Sequence, residues 1–481
     1  MTKDEKTDMP NLMDSMNNSK VSRFHYRTWW LAGMGFFTDA YDLFIIGMVL
    51  AIMPLVGWST LNTSTAAGTY NVALIGSTAL LSAVIGAVIF GRLLDKLGRK
   101  AIYGIELILL VAGALGSAFL TPTNSPVVLI AWRFLLGIGI GGDYATSSTI
   151  MAEYSNTKNR GKLVGMVFSM QSLGLIAGPA IALGLMYSGI SLVTVWQLLL
   201  AFGAIPAALV IYGRRKLPEP PRYTLNVKGD SKEAVKSWEN YTGLRVDENA
   251  QIKPSTAKWH QLFTDRKFLL TLIATAGSWF LMDWALYGNS IMSTDMIGFL
   301  VPASVKGLAH IETTAFYSLL IFVFAAFPGY WLATFTVDRI GRKPIQMIGF
   351  LFMAITFAIL ALFPFLETAA YAAEFLVIYG LSYFFIEFGP NVTTFIYPPE
   401  VFPTSIRGLG AGASAAGGKT GAFVGTFLNL FIVGAINHTG LFMVLSVLAA
   451  MGLALTFSLL PEPKRIDLEE ISGDNRLRAE S

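Results

Sequence analysis

Residues 133–174 read RFLLGIGIGGDYATSSTIMAEYSNTKNRGKLVGMVFSMQSLG and combine an apolar helix with charged and polar side chains. The first apolar run is long enough to cross a bilayer as a helix, yet it carries Arg133, Asp143 and Tyr144, and Gln171 follows in the next run. An ionised side chain at bilayer depth costs several kcal/mol, so such residues are rare there and usually face a polar path. The stretch therefore predicts membrane helices that enclose a functional polar interior.

The composition of the whole chain points the same way. Its 481 residues are 54% hydrophobic and 14% charged, whereas soluble proteins carry about 25% charged residues. The apolar residues form runs long enough to span a bilayer as helices. We predict an all-α membrane protein with twelve spans in two six-helix bundles, at residues 29–56, 71–91, 101–120, 127–151, 162–187, 193–213, 268–290, 314–335, 345–364, 371–397, 408–434 and 440–460.

Several other classes of protein are disfavoured. The net charge of +4 is small and the basic residues lie between apolar runs, so no nucleic acid is expected as a partner. The chain has no Cys, which excludes disulfides and Cys-based metal sites. Its four His fall in or near loops, so a proton path has to use carboxylates or water. No nucleophile–base pair or metal cluster is apparent, and no enzyme activity, metal or cofactor is expected.

Positive charge predicts the orientation. Loops between spans 2 and 3, 4 and 5, 6 and 7, and 8 and 9 are basic, whereas residues 57–70 and 121–126 contain no Lys or Arg. By the positive-inside rule both termini are cytoplasmic. The predicted divisions are a flexible amino-terminal tail without a signal-peptide layout at 1–28, a bundle at 29–213, a cytoplasmic loop at 214–267, a second bundle at 268–460 and a tail at 461–481.

The two halves repeat each other at an offset of 243 to 247 residues. Asp95-Lys-Leu-Gly-Arg-Lys returns as Asp338-Arg-Ile-Gly-Arg-Lys. Glu153 with Arg160-Gly161 returns as Glu400 with Arg407-Gly408, and Pro-Glu-Pro at 218–220 returns at 461–463. Parallel six-helix repeats are the layout of major facilitator transporters, whose substrate sites lie near the membrane midplane. This repeat predicts the major facilitator fold.

One segment carries a more specific resemblance. GGDYATSSTIMAEYSNTKNRG at 141–161, followed by FSMQ at 168–171, closely resembles the segment GGDYPLSATIMSEYA…RG of the phosphate:proton symporters in this superfamily. The match departs at Ala145 and Thr146, where that family has Pro-Leu. The superfamily resemblance covers essentially residues 25–465. It implies a twelve-helix transporter, and the segment in span 4 implies phosphate as the substrate.

Candidate substrate residues follow from the repeat and from helical spacing. Asp39 corresponds to Asp283, Tyr144 to Asn391, and Gln171 falls one position from Lys419. Trp279, Asp283 and Tyr287 are four residues apart and share one helix face, a pattern that lines the phosphate pocket in the resembling family. Lys419 lies mid-span, too deep to extend its ammonium group to the helix end. The predicted substrate-binding residues are Tyr144, Gln171, Trp279, Asp283, Tyr287, Asn391 and Lys419.

A second group is assigned to proton coupling: Asp39, Asp42, Arg133 and Asp143. Asp39 and Asp42 are three residues apart, and two carboxylates in low dielectric repel, so at least one is expected to hold a proton. Arg133, Gly137 and Gly139 match the RxxxGxG motif of proton-linked facilitators. The alternative is a structural ion pair between spans 1 and 4. Glycines 137, 139 and 142 also match GxGxxG, but without a βαβ unit they indicate close helix packing.

The repeated loop motifs resemble the cytoplasmic gate of the superfamily, in which charged networks stabilise the outward-facing state. The predicted gate residues are Asp95, Arg99, Glu153, Arg160, Asp338, Arg342, Glu400 and Arg407. Glu106 and Glu387 are further buried acids without an assigned role. They lie in spans 3 and 10.

These observations favour a proton-coupled symporter that imports inorganic phosphate across the plasma membrane by alternating access. The alternatives are a proton-linked transporter of a carboxylate or sugar, and a non-transporting nutrient sensor, a class that usually has longer cytoplasmic extensions. A sugar would not require Lys419, whereas an anion does. The expected partners are inorganic phosphate, protons and the lipid bilayer. A monomer is the expected form, with other oligomeric states left open.

Overall fold

The structure, a computed structural model, describes residues 11–242, 245–246, 254, 257–291 and 296–480. Within them, eleven helical segments are long and apolar enough to cross a membrane. The first ten, numbered α1 to α10 here, are Arg23–Val56, Ala66–Leu97, Arg99–Phe119, Pro126–Tyr154, Arg160–Tyr187, Leu192–Arg215, Arg266–Ile291, Leu308–Ile340, Arg342–Leu362 and Ala369–Val401. The eleventh segment, Thr404–Leu459, contains two spans.

A turn inside this last segment separates α11, residues 404–435, from α12, residues 438–459. The helix Arg407–Leu459 is interrupted at Ile436 and at Asn437, which has a left-handed φ of 59°. A 53-residue helix is far longer than one bilayer crossing needs. The predicted twelve-helix fold is confirmed, and the turn lies within the predicted gap at 435–439.

The two six-helix halves meet through α2 with α11 and through α5 with α8. At the first contact, a Cβ on Gly91 would lie 2.4 Å from the carbonyl oxygen of Gly408. Within the amino-terminal half, Gly137 on α4 faces the backbone of α2, and Gly139 faces that of α3. Backbones approach this closely only where side chains are absent, which confirms the packing interpretation of these glycines.

The outer surface of the bundle is apolar. On α2, Leu81, Ile85 and Ile89 are exposed along one helical face. A continuous exposed apolar surface of this kind is stable in contact with lipid and unfavourable in water. Polar residues of the spans instead lie inside the bundle, where they form the sites described below.

One end of the bundle carries both termini, and we call it the terminal face. Its shorter helices are Leu12–Asn18, Pro221–Tyr223, Ser231–Thr242, Gln261–Thr264, Leu468–Ile471 and Asp474–Glu480. Leu12 and Met16 pack into a small core with Leu225 and Trp238. The expectation of a flexible amino-terminal tail is therefore wrong for Leu12–Asn18, because burial of these two side chains holds the helix against the central loop. Residues 1–10 and parts of that loop lie outside the described residues.

Candidate functional site

Lys419 forms the first part of a buried polar chain in the middle of the bundle. Its Nζ donates to Asp283 Oδ2 over 3.1 Å and to the Tyr287 hydroxyl over 2.8 Å. The same Nζ lies 4.1 Å from the ring centroids of Tyr144 and Tyr287. Two aromatic faces and one carboxylate thus hold the cation. In this state Asp283 pairs with the positive charge of Lys419, with which an anion would also have to pair.

The polar chain continues across the interface between the two halves. The Tyr144 and Tyr287 hydroxyl groups lie 3.0 Å apart, and Gln171 Nε2 donates to Tyr144 over 2.5 Å. The Tyr330 hydroxyl donates to Gln171 Oε1 over 3.1 Å, and Asn391 Nδ2 donates to Tyr330 over 2.7 Å. Residues from α4 and α5 are therefore linked to residues from α7, α8 and α10.

The chain ends at Glu387, whose Oε2 accepts a second hydrogen bond from Asn391 Nδ2. The sequence analysis assigned no role to Glu387 and did not select Tyr330. Under the repeat offset Tyr330 corresponds to positions 83–87, which are apolar or glycine, so a search for polar pairs could not find it. Glu387 offered one signal, a carboxyl in an otherwise apolar span.

Trp279 lies beside this chain and helps to form its apolar wall. Its ring centroid is 5.9 Å from that of Tyr144, and it packs so closely on Gly418 that a Cβ there would lie 2.4 Å from the indole. Phe44 stacks on Tyr287 with centroids 5.0 Å apart. Aromatic walls exclude water and strengthen the electrostatic interactions inside. All seven predicted substrate residues thus lie together.

Asp143 belongs to a second buried cluster, with Arg214 and Glu106. Arg214 Nη1 and Nη2 lie 2.7 and 2.9 Å from the two oxygens of Asp143, and Nη1 also lies 2.9 Å from Glu106 Oε1. Gly35 on α1 leaves the necessary space, since its Cβ would lie 2.0 Å from both partners of the pair. The sequence analysis placed Arg214 in the central loop, but it lies in the last turn of α6 and is buried.

Arg133 accompanies Asp42 rather than Asp143. Its Nη1 donates to the backbone oxygen of Asp42 over 2.9 Å, and the two charged groups interact electrostatically. Arg133 Nε and Nη2 and Asp42 Oδ2 lack a hydrogen-bond partner within the part of the chain that the structure describes. Arg214, rather than Arg133, lies beside Asp143. Between α1 and α4 the structure shows the hydrogen bond from Arg133 to the Asp42 backbone and the electrostatic interaction of their side chains.

Asp39 lies between the two clusters. Neither of its carboxyl oxygens has a hydrogen-bond partner among the described residues. It interacts electrostatically with Asp143 and Arg214 on one side and with Lys419 on the other. This acid therefore connects the predicted proton group electrostatically to the polar chain.

At the terminal face, the predicted gate residues form two networks related by the repeat. In the first, Glu153 Oε1 lies 2.7 Å from Arg99 Nη2 and 3.1 Å from Arg407 Nη1, which belongs to the other half. Asp95 accepts hydrogen bonds from the backbone N–H groups of Gly408 and Leu409, over 2.9 and 2.8 Å. These contacts join α2 and α4 to the beginning of α11.

The second network repeats this geometry in the other half. Glu400 Oε1 lies 2.6 Å from Arg342 Nη2 and 2.8 Å from Arg160 Nε, which belongs to the amino-terminal half. Asp338 accepts from the backbone N–H groups of Gly161 and Lys162, over 3.1 and 2.8 Å. All eight predicted residues thus take part, and we call the two networks together the charged gate. Both halves are tied to each other at this end.

The repeated Pro-Glu-Pro segments complete the charged gate. Glu219 accepts from the backbone N–H of Arg99 over 2.7 Å, and Glu462 accepts from that of Arg342 over 3.1 Å. Gly98 and Gly341, which precede these arginines, have positive φ of 99° and 115°, a conformation that only glycine adopts without strain. The repeated glycine is therefore required by the turn.

Comparison with known proteins agrees with this architecture. A family model described as "Sugar (and other) transporter" matches residues 30–474. Inorganic phosphate transporter 1-4 of Arabidopsis thaliana is 35% identical, with 96% of each chain covered. Inorganic phosphate transporter 1-6 of Oryza sativa subsp. japonica is 36% identical, with 98% of this chain and 96% of the relative covered. The chain belongs to this family of major facilitator transporters.

Solved structures of major facilitator transporters share the fold. The proton:xylose symporter XylE bound to 6-bromo-6-deoxy-D-glucose aligns with a TM-score of 0.79 and 19% identity, covering 94% of this chain and 98% of XylE. A partially occluded inward-open conformation of XylE from E. coli aligns with a TM-score of 0.72 and 18% identity, covering 92% and 99%. At these identities the comparison bears on the fold alone.

The transporter is closed at the terminal face. The charged gate joins the halves at that end, and the polar chain lies above it with Lys419 and Asp283 fully buried. Both networks join one half to the other at this face. The multi-pass membrane architecture thus contains a central site that is isolated from the terminal side.

Proposed function

We propose that this transporter imports inorganic phosphate into the cell together with protons, by alternating access of the central site. The observation that carries the proposal is the buried Lys419–Asp283 pair, surrounded by neutral donors, in a chain whose relatives are named inorganic phosphate transporters. Lys419 supplies a positive charge to this polar chain, which suits a small anion. Tyr144, Gln171 and Asn391 supply hydroxyl and amide groups within the same chain.

Phosphate binding would compete with Asp283 for Lys419. A carboxylate and a phosphate anion repel at close range, so both cannot share the ammonium group while Asp283 is ionised. Once Asp283 takes a proton it becomes a donor, and dihydrogen phosphate also carries hydroxyls that can donate to it. Substrate binding is then linked to proton uptake. This linkage is what symport requires.

The acids of the amino-terminal half would carry the coupled proton. Asp39, Asp42 and Asp143 lie on α1 and α4, with Arg133 and Arg214 as their cationic neighbours. Asp39 has electrostatic contact with both Asp143 and Lys419. A change of charge at Asp143 is therefore felt at the substrate site through Asp39.

Access would alternate through the charged gate. While its two networks hold the halves together, phosphate can enter only from the side opposite the termini. With the basic loops inside the cell, that side is extracellular and the chain lies in the plasma membrane with both termini cytoplasmic. Release follows when the networks separate.

A sugar as substrate is the main competing assignment, because the matching family model includes sugar transporters. A neutral sugar does not require the positive charge of Lys419, whereas an anion does. Carboxylates remain compatible with the cation but would use fewer of the neutral donors. Competition by sugars and carboxylates therefore distinguishes these substrates from phosphate.

The direct test is uptake of labelled phosphate by the purified protein in liposomes, with and without an inward proton gradient. We expect accumulation above the equilibrium level only with the gradient, and inhibition by unlabelled phosphate but not by glucose or xylose. A matched control is Thr420→Ser, next to Lys419 in sequence, which should transport like the wild type. Gradient-independent equilibration would contradict proton coupling, and the absence of any phosphate flux would contradict the substrate.

A further inference from the structure

Glu387 is a buried acid that the proposed transport cycle does not use. It is fully buried in α10, in the irregular segment Glu387–Asn391, where Gly389 departs from helical geometry with φ −106° and ψ −109°. Its Oε2 accepts from Asn391, and its Oε1 has no hydrogen-bond partner among the described residues. The acid is thus the end of the polar chain.

The groups that face Glu387 include no cation in the part of the chain that the structure describes. Tyr330 on α8, Asn391 and Tyr383 on α10, and Asp283 on α7 are the titratable or polar groups that interact with it. On α8 its other neighbour is Gly329, whose Cβ would lie 3.0 Å from Glu387 Cβ.

The neighbouring helix α9 contributes no charge either. It packs on this segment through Gly349, against Gly389. Its Gln346 accepts a hydrogen bond from Thr393, two residues beyond the segment. A buried carboxylate without a cation or several donors is strongly unfavourable, so a proton on Glu387 would stabilise this buried site.

Asn391 connects the charge of Glu387 to the substrate. The amide has two N–H bonds, and both are used here, one on Tyr330 and one on Glu387. To donate to phosphate, Asn391 has to give up one of them. An ionised Glu387 would hold the amide by a charge-assisted hydrogen bond and would also repel the anion, whereas a protonated Glu387 holds the amide less strongly and carries no charge to repel phosphate.

We propose that Glu387 is a second proton-linked acid of the substrate site, which must be protonated when phosphate is bound. The proton comes from the solvent on the side of phosphate entry and forms an O–H bond on the carboxyl, and Asn391 is released to the substrate. A proton on Oε1 has no acceptor among the described residues, so this hydroxyl is free to donate to the anion as well. The inference rests on the proposed function, since it concerns phosphate at that site.

The test is the dissociation constant of phosphate as a function of pH for purified wild type and Glu387→Gln. Both proteins face the same phosphate species, so the titration of phosphate itself cancels in the comparison. At pH values at which Glu387 is ionised in the phosphate-free protein, phosphate binding by the wild type takes up one more proton than phosphate binding by Glu387→Gln. Wild-type affinity should therefore fall about tenfold more per pH unit than that of Glu387→Gln.

Further variants make the result specific. Glu387→Asp keeps an acid and should keep the wild-type slope, and Tyr383→Phe, one turn away, removes a hydroxyl without removing an acid and should keep it too. Asp283→Asn should lose its own contribution but retain that of Glu387. If Glu387→Gln does not fold, Glu387→Met also removes the acid and predicts the same reduced slope.

Equal slopes for a phosphate-binding wild type and Glu387→Gln would overturn this inference and leave the proposed function intact. Loss of phosphate binding at every pH in Glu387→Gln, with binding retained in Glu387→Asp, would also overturn it, because a neutral side chain should permit binding. A wild type that binds no phosphate at any pH would instead overturn the proposed function, and the inference with it.

Discussion

Lys419 Nζ lies 3.1 Å from Asp283 Oδ2, so the only cation of the polar chain is already paired in the closed state. The two residues come from α11 and α7, which pack against each other along the carboxy-terminal half. Each therefore has two roles, as a structural partner of the other and as a candidate contact for phosphate. A substitution at either position is therefore expected to change both stability and phosphate binding.

Lys419→Ala should abolish phosphate binding, and Lys419→Arg should retain part of it. The alanine variant leaves Asp283 buried without its cation, which costs about 3–5 kcal/mol of stability. The double variant Lys419→Ala/Asp283→Asn should recover much of that stability but not the binding. Thermal unfolding and equilibrium binding of labelled phosphate measure the two effects separately. Wild-type transport by Lys419→Ala would show that the anion site lies elsewhere.

Asp283→Asn should bind phosphate with weakened pH dependence but fail in net transport. The amide resembles the protonated acid, so it no longer competes for Lys419, and it cannot become the carboxylate that repels phosphate during release. Asp283→Glu displaces the charge by one methylene and should bind poorly. Affinity against pH in purified wild type and Asp283→Asn is the measurement. Parallel curves would show that Asp283 does not carry the coupling.

Asp42→Asn and Asp143→Asn should suppress gradient-driven accumulation while phosphate exchange remains measurable. Both acids lie outside the polar chain, so neither change removes a predicted substrate contact. Asp143→Asn should also reduce stability more, because Arg214 then keeps only Glu106 as an anionic partner. Accumulation and exchange in liposomes test the first expectation, and thermal unfolding tests the second. Unchanged accumulation in both variants would place the proton site elsewhere.

Much of the architecture follows from the sequence because each repeated motif, and each helical spacing, can be recognised within a short stretch of residues. The duplicated loop motifs predict both networks of the charged gate, and the four-residue spacing predicts that Asp283 and Tyr287 share a face. Lys419 is recognisable from its depth alone. These predictions need no knowledge of how the two halves are packed.

Other parts of the site depend on packing between distant helices. Tyr330 has no polar repeat partner, and its role arises from the contact of α8 with α5 and α10. Arg214 looks like the first residue of a basic loop, and only the space left by Gly35 brings it beside Asp143. Sequence periodicity does not encode such partners.

The carboxy-terminal segment should leave the terminal face in acid. Burial alone would raise the pKa of Glu469, but the guanidinium of Arg222 in the central loop outweighs it, and the pKa lies below the ordinary value of 4.5. Because the pKa of Glu469 is lower in the docked segment than in the undocked one, its ion pair with Arg222 stabilises docking above the ordinary value of 4.5. This stabilisation disappears as the pH falls through the lower pKa of the docked state.

The protection of residues 468–471 from hydrogen exchange, relative to the intrinsic rate at each pH between 3 and 7, measures this docking. Glu469→Gln should remove the pH dependence of that protection. Glu470→Gln is the matched control. Glu470 is the next residue in sequence and its side chain is exposed, so this substitution should leave the pH dependence unchanged. If acid reduces the protection of residues 468–471 by the same amount in Glu469→Gln as in the wild type, another group is responsible.

The charged gate should open at the terminal face when either of its central carboxylates is neutralised. Glu153 and Glu400 each bridge an arginine of their own half and one of the other half. Removing one partner of a buried ion pair costs the closed state about 3–5 kcal/mol. Since the two networks have the same geometry, Glu153→Gln and Glu400→Gln should shift the population towards the open state to a similar extent.

The chain has no Cys, so two labels can be introduced without background. Lys96 and Arg339 are exposed, repeat-related positions on the terminal face of opposite halves. Distances between spin labels at Lys96→Cys and Arg339→Cys should lengthen in both gate variants and remain short in a Glu470→Gln control. If one variant opens the face and the other does not, the two networks are unequal despite their matching distances. If neither changes the distribution, the closed state does not depend on these carboxylates, and the packing of α2 on α11 and of α5 on α8 has to hold the halves together by itself.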